Sequence, residues 1–289
     1  MTQIAFTKMH GIGNDYIYID CTGKNPFGKQ EVEVFARRYC DRHCGIGSDG
    51  VILIKKSRKA DFFMEMYNAD GSQGKMCGNG IRCLAAFVHA KKLTDKTELD
   101  IDTLSGVKHI KLEKIKGHLY IATVNMGQPS FRTEDIPVQW SDDIMLNEAV
   151  AVGGALYNVT AVSMGNPHAV IFTRDVLTMD IEPIGKMMEK HRLFPEGVNV
   201  EFAEILSRNR IRMRVWERGS QETMACGTGA CATAAAAVEN GLADRNVTVE
   251  LNRGELEINW DRDSGDIIMV GPAEIVYEGV VHFQNKETV

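Results

Sequence analysis

Short runs rich in β-branched and aromatic residues, bounded by turn residues, recur through the first half of the chain at 4–6, 16–20, 51–55, 62–67, 110–113 and 119–124. This pattern predicts strands. Residues 31–39 instead carry their apolar positions at helical spacing. The second half repeats the style at 157–163, 169–173, 200–205, 210–217, 247–251, 254–260 and 267–270. Two segments leave strand periodicity for an alanine-rich helix of about four turns. One follows Cys77-Gly-Asn-Gly80 and the other follows Cys226-Gly-Thr-Gly229. The second helix, Ala-Cys-Ala-Thr-Ala-Ala-Ala-Ala-Val at 230–238, has almost no polar face, which predicts burial on every side.

The two helices belong to an internal repeat. At an offset of 149, Cys77 falls on Cys226, Gly78 on Gly227, Gly80 on Gly229, Ala85 and Ala86 on Ala234 and Ala235, and Leu93 on Leu242. Tyr67-Asn68 precedes the first cysteine much as Trp216-Glu217 precedes the second, and Gly-Ser-Gln follows in both copies, one position out of register. Cys83 and Cys231 do not align with each other, so one cysteine per copy occupies the shared position. An offset this long excludes a solenoid and points to a duplicated domain. The expected fold is therefore α/β in the α+β sense: two pseudo-symmetric domains, each a curved mixed sheet or barrel around one central helix. The expected boundaries are 1–126 joined by 273–289, and 127–272, with 127–138, which holds Pro129 and Pro137, as the linker.

Composition narrows the class. A net charge of −6 and a pI near 5.8 argue against a nucleic-acid partner. No run approaches the roughly 20 apolar residues of a membrane span, and the first residues lack a signal-peptide pattern, so a cytoplasmic location is expected. Seven cysteines in a chain of this length, an odd number, speak against a disulfide framework. No Cys-x-x-Cys pair occurs, and Cys40-Asp-Arg-His43-Cys44 has no matching second pair, so no metal is expected.

A cysteine before a glycine-rich helix start has a specific use. First-turn N–H groups and the positive end of the helix dipole bind anions such as a carboxylate. The same end lowers the pKa of a thiol placed there. Two such entrances, one per domain, are expected to face each other across a cleft with a ligand carboxylate between them. That arrangement suits inversion at an α-carbon, where one group removes a proton and another delivers one to the opposite face. In a single copy, Cys-Gly-x-Gly reads as easily as a tight turn with an inert thiol; the matched second copy favours chemistry.

Seven motifs in order resemble those of the diaminopimelate epimerases: His-Gly-Ile-Gly-Asn-Asp at 10–15, Asn-Ala-Asp-Gly-Ser at 68–72, Cys-Gly-Asn-Gly at 77–80, Met-Gly-Asn-Pro-His at 164–168, Gly-Val-Asn-Val at 197–200, Glu-Arg-Gly at 217–219 and Ala-Cys-Gly-Thr-Gly at 225–229. The resemblance implies interconversion of LL- and meso-diaminopimelate, a step towards lysine and peptidoglycan, with no cofactor, and a homodimer. It implies Cys77 and Cys226 as the acid–base pair. Gly78, Asn79, Gly227 and Thr228 would hold the reacting carboxylate, and Asn14, Asn68, Asn166, Asn199 and Arg218 would contact the rest of the substrate. Glu217 would lie near the reacting amine, and with His168 would bias the cysteine pKa values. Some members carry a substrate-contacting glutamine where this chain has Gly50, which offers only backbone.

Two rivals remain at the level of sequence. A racemase of histidine or proline on the same fold is one, although Asn68, Asn199 and Arg218 together favour a substrate charged at both ends. A thiol redox protein using Cys77 and Cys226 is the other; in the epimerase reading, a disulfide between them is an inactivating side reaction.

Overall fold

The structure, a computed structural model, describes residues 2–28 and 30–284. The chain divides into two compact units, one formed by residues up to Val124 together with those from Gly271 onward, the other by Asn125–Val270. The end of the expected 273–289 return, residues 285–289, lies outside the described residues.

The first unit contains β1 (Thr2–Gly11), β2 (Asn14–Asp20), α1 (Glu31–Tyr39), β3 (Gly50–Lys56), β4 (Phe62–Asn68), β5 (Gln73–Gly74), α2 (Gly78–Ala90), β6 (Glu98–Thr103), β7 (Gly106–Lys116) and most of β8 (Leu119–Gly127). The second contains β9 (Glu148–Val152), β10 (Ala155–Ser163), β11 (Pro167–Phe172), α3 (Glu182–Glu189), β12 (Asn199–Ser207), β13 (Arg210–Glu217), β14 (Gln221–Thr223), α4 (Gly227–Glu239), β15 (Asn246–Leu251) and β16 (Gly254–Trp260). A long last strand, β17 (Ile267–Phe283), pairs through 267–270 with β16 and then returns to pair with β1.

In the first unit, β1, β2, β3, β4, β6, β7, β8 and β17 pair in turn, and β17 closes the circuit onto β1. α2 runs against β1, β2, β3 and β7. The second unit repeats the order: β11 and β12 are parallel with α3 between them, as β2 and β3 are with α1, and α4 occupies the crossover from β13 to the parallel β15, as α2 does from β4 to β6. Both central helices are buried over most of their 13 residues. Alanines at 230, 232 and 234–237 let the strands close on α4; a larger side chain there would overpack by about 1–3 kcal/mol.

Strand alternation supplies each core. In β8 every second residue of Leu-Tyr-Ile-Ala-Thr-Val-Asn-Met-Gly is buried, as one wall of a barrel demands. The 127–138 stretch is not a linker. Ile136 and Val138 enter the core of the second unit beside Trp216, and Ser130 bridges to Ser163. Helix α3 and strands β6 and β9 fall outside the runs read as elements from sequence.

Candidate active site

In each unit the expected residues gather at one edge of the sheet, because topology puts them there. β2 begins at Asn14, β3 begins at Gly50 beside it, antiparallel β4 ends at Asn68, and the chain then turns into α2 at Cys77. The second unit repeats this with Pro167, Asn199, Glu217 and Cys226.

Cys77 and Cys226 are the N-cap residues of α2 and α4, both with extended backbone. Each sulfur accepts a hydrogen bond from the N–H three residues on, Gly80 at 3.3 Å and Gly229 at 3.4 Å. The thiols thus take the place that a Ser or Asp side chain ordinarily fills at a helix start, with the positive helix end directed at sulfur.

Around Cys77 the first unit supplies amides. The Cys77 thiol donates to Asn14 Oδ1 at 3.3 Å, and Asn79 Nδ2 donates to the same oxygen at 3.2 Å. Asn14 Nδ2 in turn donates to Asp49 at 2.7 Å. Asn14 is aimed by a two-residue hairpin, Ile12-Gly13, in which both residues have positive φ (57° and 82°). Glycine adopts this freely; for the β-branched Ile12 it is strained, by roughly 1–2 kcal/mol, two residues before the Asn14 that meets the candidate thiol. Asp15 and Asp49 share the Arg42 guanidinium. Burial alone would raise the Asp15 carboxyl, but bonds from Arg42 and Lys8 outweigh it and hold the group below its ordinary range. Asp49 moves the other way, raised by burial and by the neighbouring Asp15. Asn68 is bonded to Ser72 at 3.0 Å.

Around Cys226 the second unit supplies carboxylates. Cys226 is 6% exposed, stands within electrostatic reach of the Glu217 carboxyl and lies 3.5 Å from Thr228 Oγ1. Burial, then the Glu217 and Glu201 charges, push its pKa well above the ordinary thiol value, against the smaller pull of Thr228 and the Gly229 N–H. The expectation that the helix end lowers the pKa is therefore overturned at Cys226: desolvation and two carboxylates outweigh the helix end. Burial raises Glu217 as well, and Thr223, Cys226 and His168 pull it back only in part. His168 is fully buried, with Nδ1 2.7 Å from Glu201 and Nε2 3.1 Å from Asn166, whose Nδ2 reaches Thr228 at 3.4 Å. Asn199 donates to the Pro167 carbonyl and accepts from the Arg218 N–H, so it fastens β11, β12 and the end of β13 together. The exposed Arg218 guanidinium donates to the Glu196 carbonyl at 2.9 Å.

Gly50 has no room for a side chain: a Cβ there would lie 2.2 Å from the Tyr67 carbonyl oxygen and 2.9 Å from the Tyr16 ring. A surface hollow lined by Arg208, Val238, Asp244, Arg245 and Trp260 opens at the far end of α4, roughly 20 Å of helix from Cys226, and holds none of the expected residues. All seven cysteines are free thiols. Among the described residues no group of three or more His, Cys, Asp or Glu side chains is placed to hold a metal ion.

The diaminopimelate epimerase family model matches residues 6–132 and 160–276, which include both cysteines and every other expected site residue. A diaminopimelate epimerase of Phocaeicola vulgatus is 48% identical over 280 residues, covering 97% of this chain and 99% of its own. One from Acetivibrio thermocellus is 46% identical over 278 residues, covering 96% and 98%. This chain belongs to the diaminopimelate epimerase family. The fold extends further: a crystal structure of a hydroxyproline epimerase from Agrobacterium vitis, 15% identical, superposes with a TM-score of 0.72 over 97% of this chain and 94% of its own.

Four charged residues at the entrances of this epimerase-family chain lie outside the set read from sequence. Asp15, Arg42 and Asp49 brace Asn14, and Glu201 braces His168. The available signal for Glu201 was one acid in an otherwise apolar strand start, Asn-Val-Glu-Phe-Ala at 199–203.

Proposed function

We propose that this chain epimerises LL-diaminopimelate to meso-diaminopimelate with Cys77 and Cys226 as the two acid–base groups, supplying precursors for lysine and peptidoglycan. Inversion needs a base on one face of the α-carbon and an acid on the other. Cys226 is the better resting acid, since burial and Glu217 favour its protonated form. Cys77, set among the amides of Asn14 and Asn79, takes the role of base for the first proton. After turnover the roles are exchanged, and the reverse reaction uses them in that order.

The α-proton of an amino acid is weakly acidic, so charge developing towards the carboxylate must be stabilised. Peptide N–H groups of the first helical turns, at Gly78-Asn79 and Gly227-Thr228, are fixed donors suited to that charge, most effective away from water. Asn14, Asn68, Asn166, Asn199 and Arg218 are assigned to the remainder of the substrate. A guanidinium fork is a fitting receptor for a second carboxylate. Glu217 and His168 are assigned to tuning Cys226. The same reading has the enzyme as a cytoplasmic homodimer, which fractionation and sedimentation test.

The observation that carries the proposal is that two copies of one fold each cap a buried helix with a sulfur, at equivalent positions, in a chain of this family. The test is proton NMR in D₂O with LL-diaminopimelate and a panel of other amino acids. Deuterium entering the α-carbon of diaminopimelate alone is expected. Exchange on histidine or proline in its place refutes the substrate, and no exchange on any amino acid refutes the activity.

A further inference from the structure

Glu201 is a fully buried carboxylate on the strand beside His168. Oε1 stands 2.7 Å from His168 Nδ1, and Oε2 has no hydrogen-bond partner among the described residues. A buried, half-satisfied carboxylate is costly, and the fold itself does not ask for one. The repeat-equivalent position, 149 residues earlier, is Ile52. Each of these side chains meets its central helix at the same place: a Cβ on Gly80 would lie 2.7 Å from Ile52 Cδ1, and one on Gly229 would lie 2.7 Å from Glu201 Oε1. An apolar residue fills the site in one copy; the other copy holds a charge.

From that charge a continuous polar chain leads to sulfur. Glu201 Oε1 meets His168 Nδ1 at 2.7 Å, His168 Nε2 meets the Asn166 amide at 3.1 Å, Asn166 meets Thr228 Oγ1 at 3.4 Å, and Thr228 Oγ1 meets Cys226 Sγ at 3.5 Å. A ring nitrogen facing a carboxylate oxygen is the donor, so Nδ1 carries the proton and Nε2 accepts; the Asn166 side-chain amide, whose two ends interchange by a half-turn, then presents its NH₂ to Nε2 and its oxygen to the Thr228 hydroxyl.

We propose that Glu201 is a positioning residue for the epimerisation: it holds His168 with its proton on Nδ1 and, through Asn166 and Thr228, sets the orientation of the Cys226 thiol. The inference rests on Cys226 being one of the two acid–base groups. Its charge also acts on the sulfur directly. The ionisable groups facing Cys226 are Glu217 from β13 and Glu201 from β12, with His168 of β11 standing against Glu201; Thr228 and the Gly229 N–H face it from its own helix. Removing the Glu201 charge therefore moves Cys226 ionisation to lower pH.

The test compares wild type with Glu201→Gln, Glu201→Asp and Cys226→Ser. Iodoacetamide alkylation is followed against pH by mass spectrometry, reading the Cys226 and Cys77 peptides from the same sample. In Glu201→Gln the Cys226 profile is expected to shift to lower pH while that of Cys77 stays in place, and kcat is expected to fall about tenfold to a hundredfold with little change in KM; Glu201→Asp recovers part of the loss. Nitrogen-15 NMR of wild type is expected to show His168 protonated at Nδ1, a reading that needs no variant to fold. A proton on Nε2 with Nδ1 bare overturns the proposal, as does a Glu201→Gln protein with unchanged profile and kcat. If that occurs while Cys226→Ser is inactive, only the role of Glu201 is lost; an active Cys226→Ser overturns the two-cysteine reading as well.

Discussion

Gly229 packs so tightly on Glu201 that a Cβ added to the glycine would lie 2.7 Å from the Oε1 carboxylate oxygen. That oxygen is tied to His168 and cannot withdraw freely. The same methyl would crowd Cys226 Sγ at 3.3 Å. Gly229→Ala is therefore expected to lose about 2 kcal/mol of stability from overpacking, more than the helix-propensity gain of under about 1 kcal/mol returns, and to lose most of its activity. Gly80→Ala meets the movable ends of Ile52 and Met64 instead, so its net change is expected to be under about 1 kcal/mol. Urea unfolding of both variants, with turnover measured alongside, checks the contrast.

Buried thiols make the protein sensitive to alkali. Burial pushes Cys21 up to about 12, Cys83 up to about 12 and Cys40 up to about 11. In the unfolded chain such thiols ionise near 8.5. Because the folded-state values are the higher ones, their contribution to stability is complete below pH 8.5 and is lost as pH rises through the folded values. Each thiol accounts for about 1.4 kcal/mol per pH unit in that window. Tm is expected to hold from pH 7 to 8 and to fall between pH 9 and 11, with a shallower fall in Cys83→Ala.

Arg82 is wholly buried in the middle of α2. Its guanidinium donates to the Pro272 carbonyl, the Gly78 carbonyl and Asn79 Oδ1, at 3.2, 3.2 and 2.9 Å. It thereby ties the entrance of α2 to the returning strand β17 and orients Asn79. Arg82→Met keeps the volume and removes the donors, so a loss of about 3 kcal/mol is expected by urea titration. Arg82→Lys, with one compact ammonium in place of a planar fork, should recover only part of it.

Where local pattern and packing agree, the chain was readable. Glu31–Tyr39 forms α1 over the predicted span, and both central helices start after Cys-Gly-x-Gly. Helix α3 was not readable, because it is only eight residues long, has no side-chain cap at its start and carries Gly185, a poor helix former; Pro183, in the first turn, is compatible with it. Gly185 is there for packing: a Cβ would lie 2.5 Å from Trp216 Cγ. In β6 the alternation of Leu99, Ile101 and Thr103 was present, but interleaved acids gave it the look of a loop. Two prolines suggested a linker at 127–138, whereas Ile136 and Val138 are core. At the candidate site the cysteines stood out because the repeat doubled them. Glu201 did not, since its one local cue, an acid between apolar neighbours at a strand start, does not say whether the carboxylate is buried, and its partner His168 lies 33 residues away.

The two-cysteine mechanism is tested most directly by α-proton chemistry in single variants. Purified Cys77→Ala and Cys226→Ala, shown to be folded by circular dichroism, are given LL-diaminopimelate in D₂O, and formation of meso-diaminopimelate is followed by NMR. Both are expected to lose epimerisation, by a factor of a thousand or more in order of magnitude, while wild type labels each molecule it inverts. Substantial inversion by either variant would contradict the account.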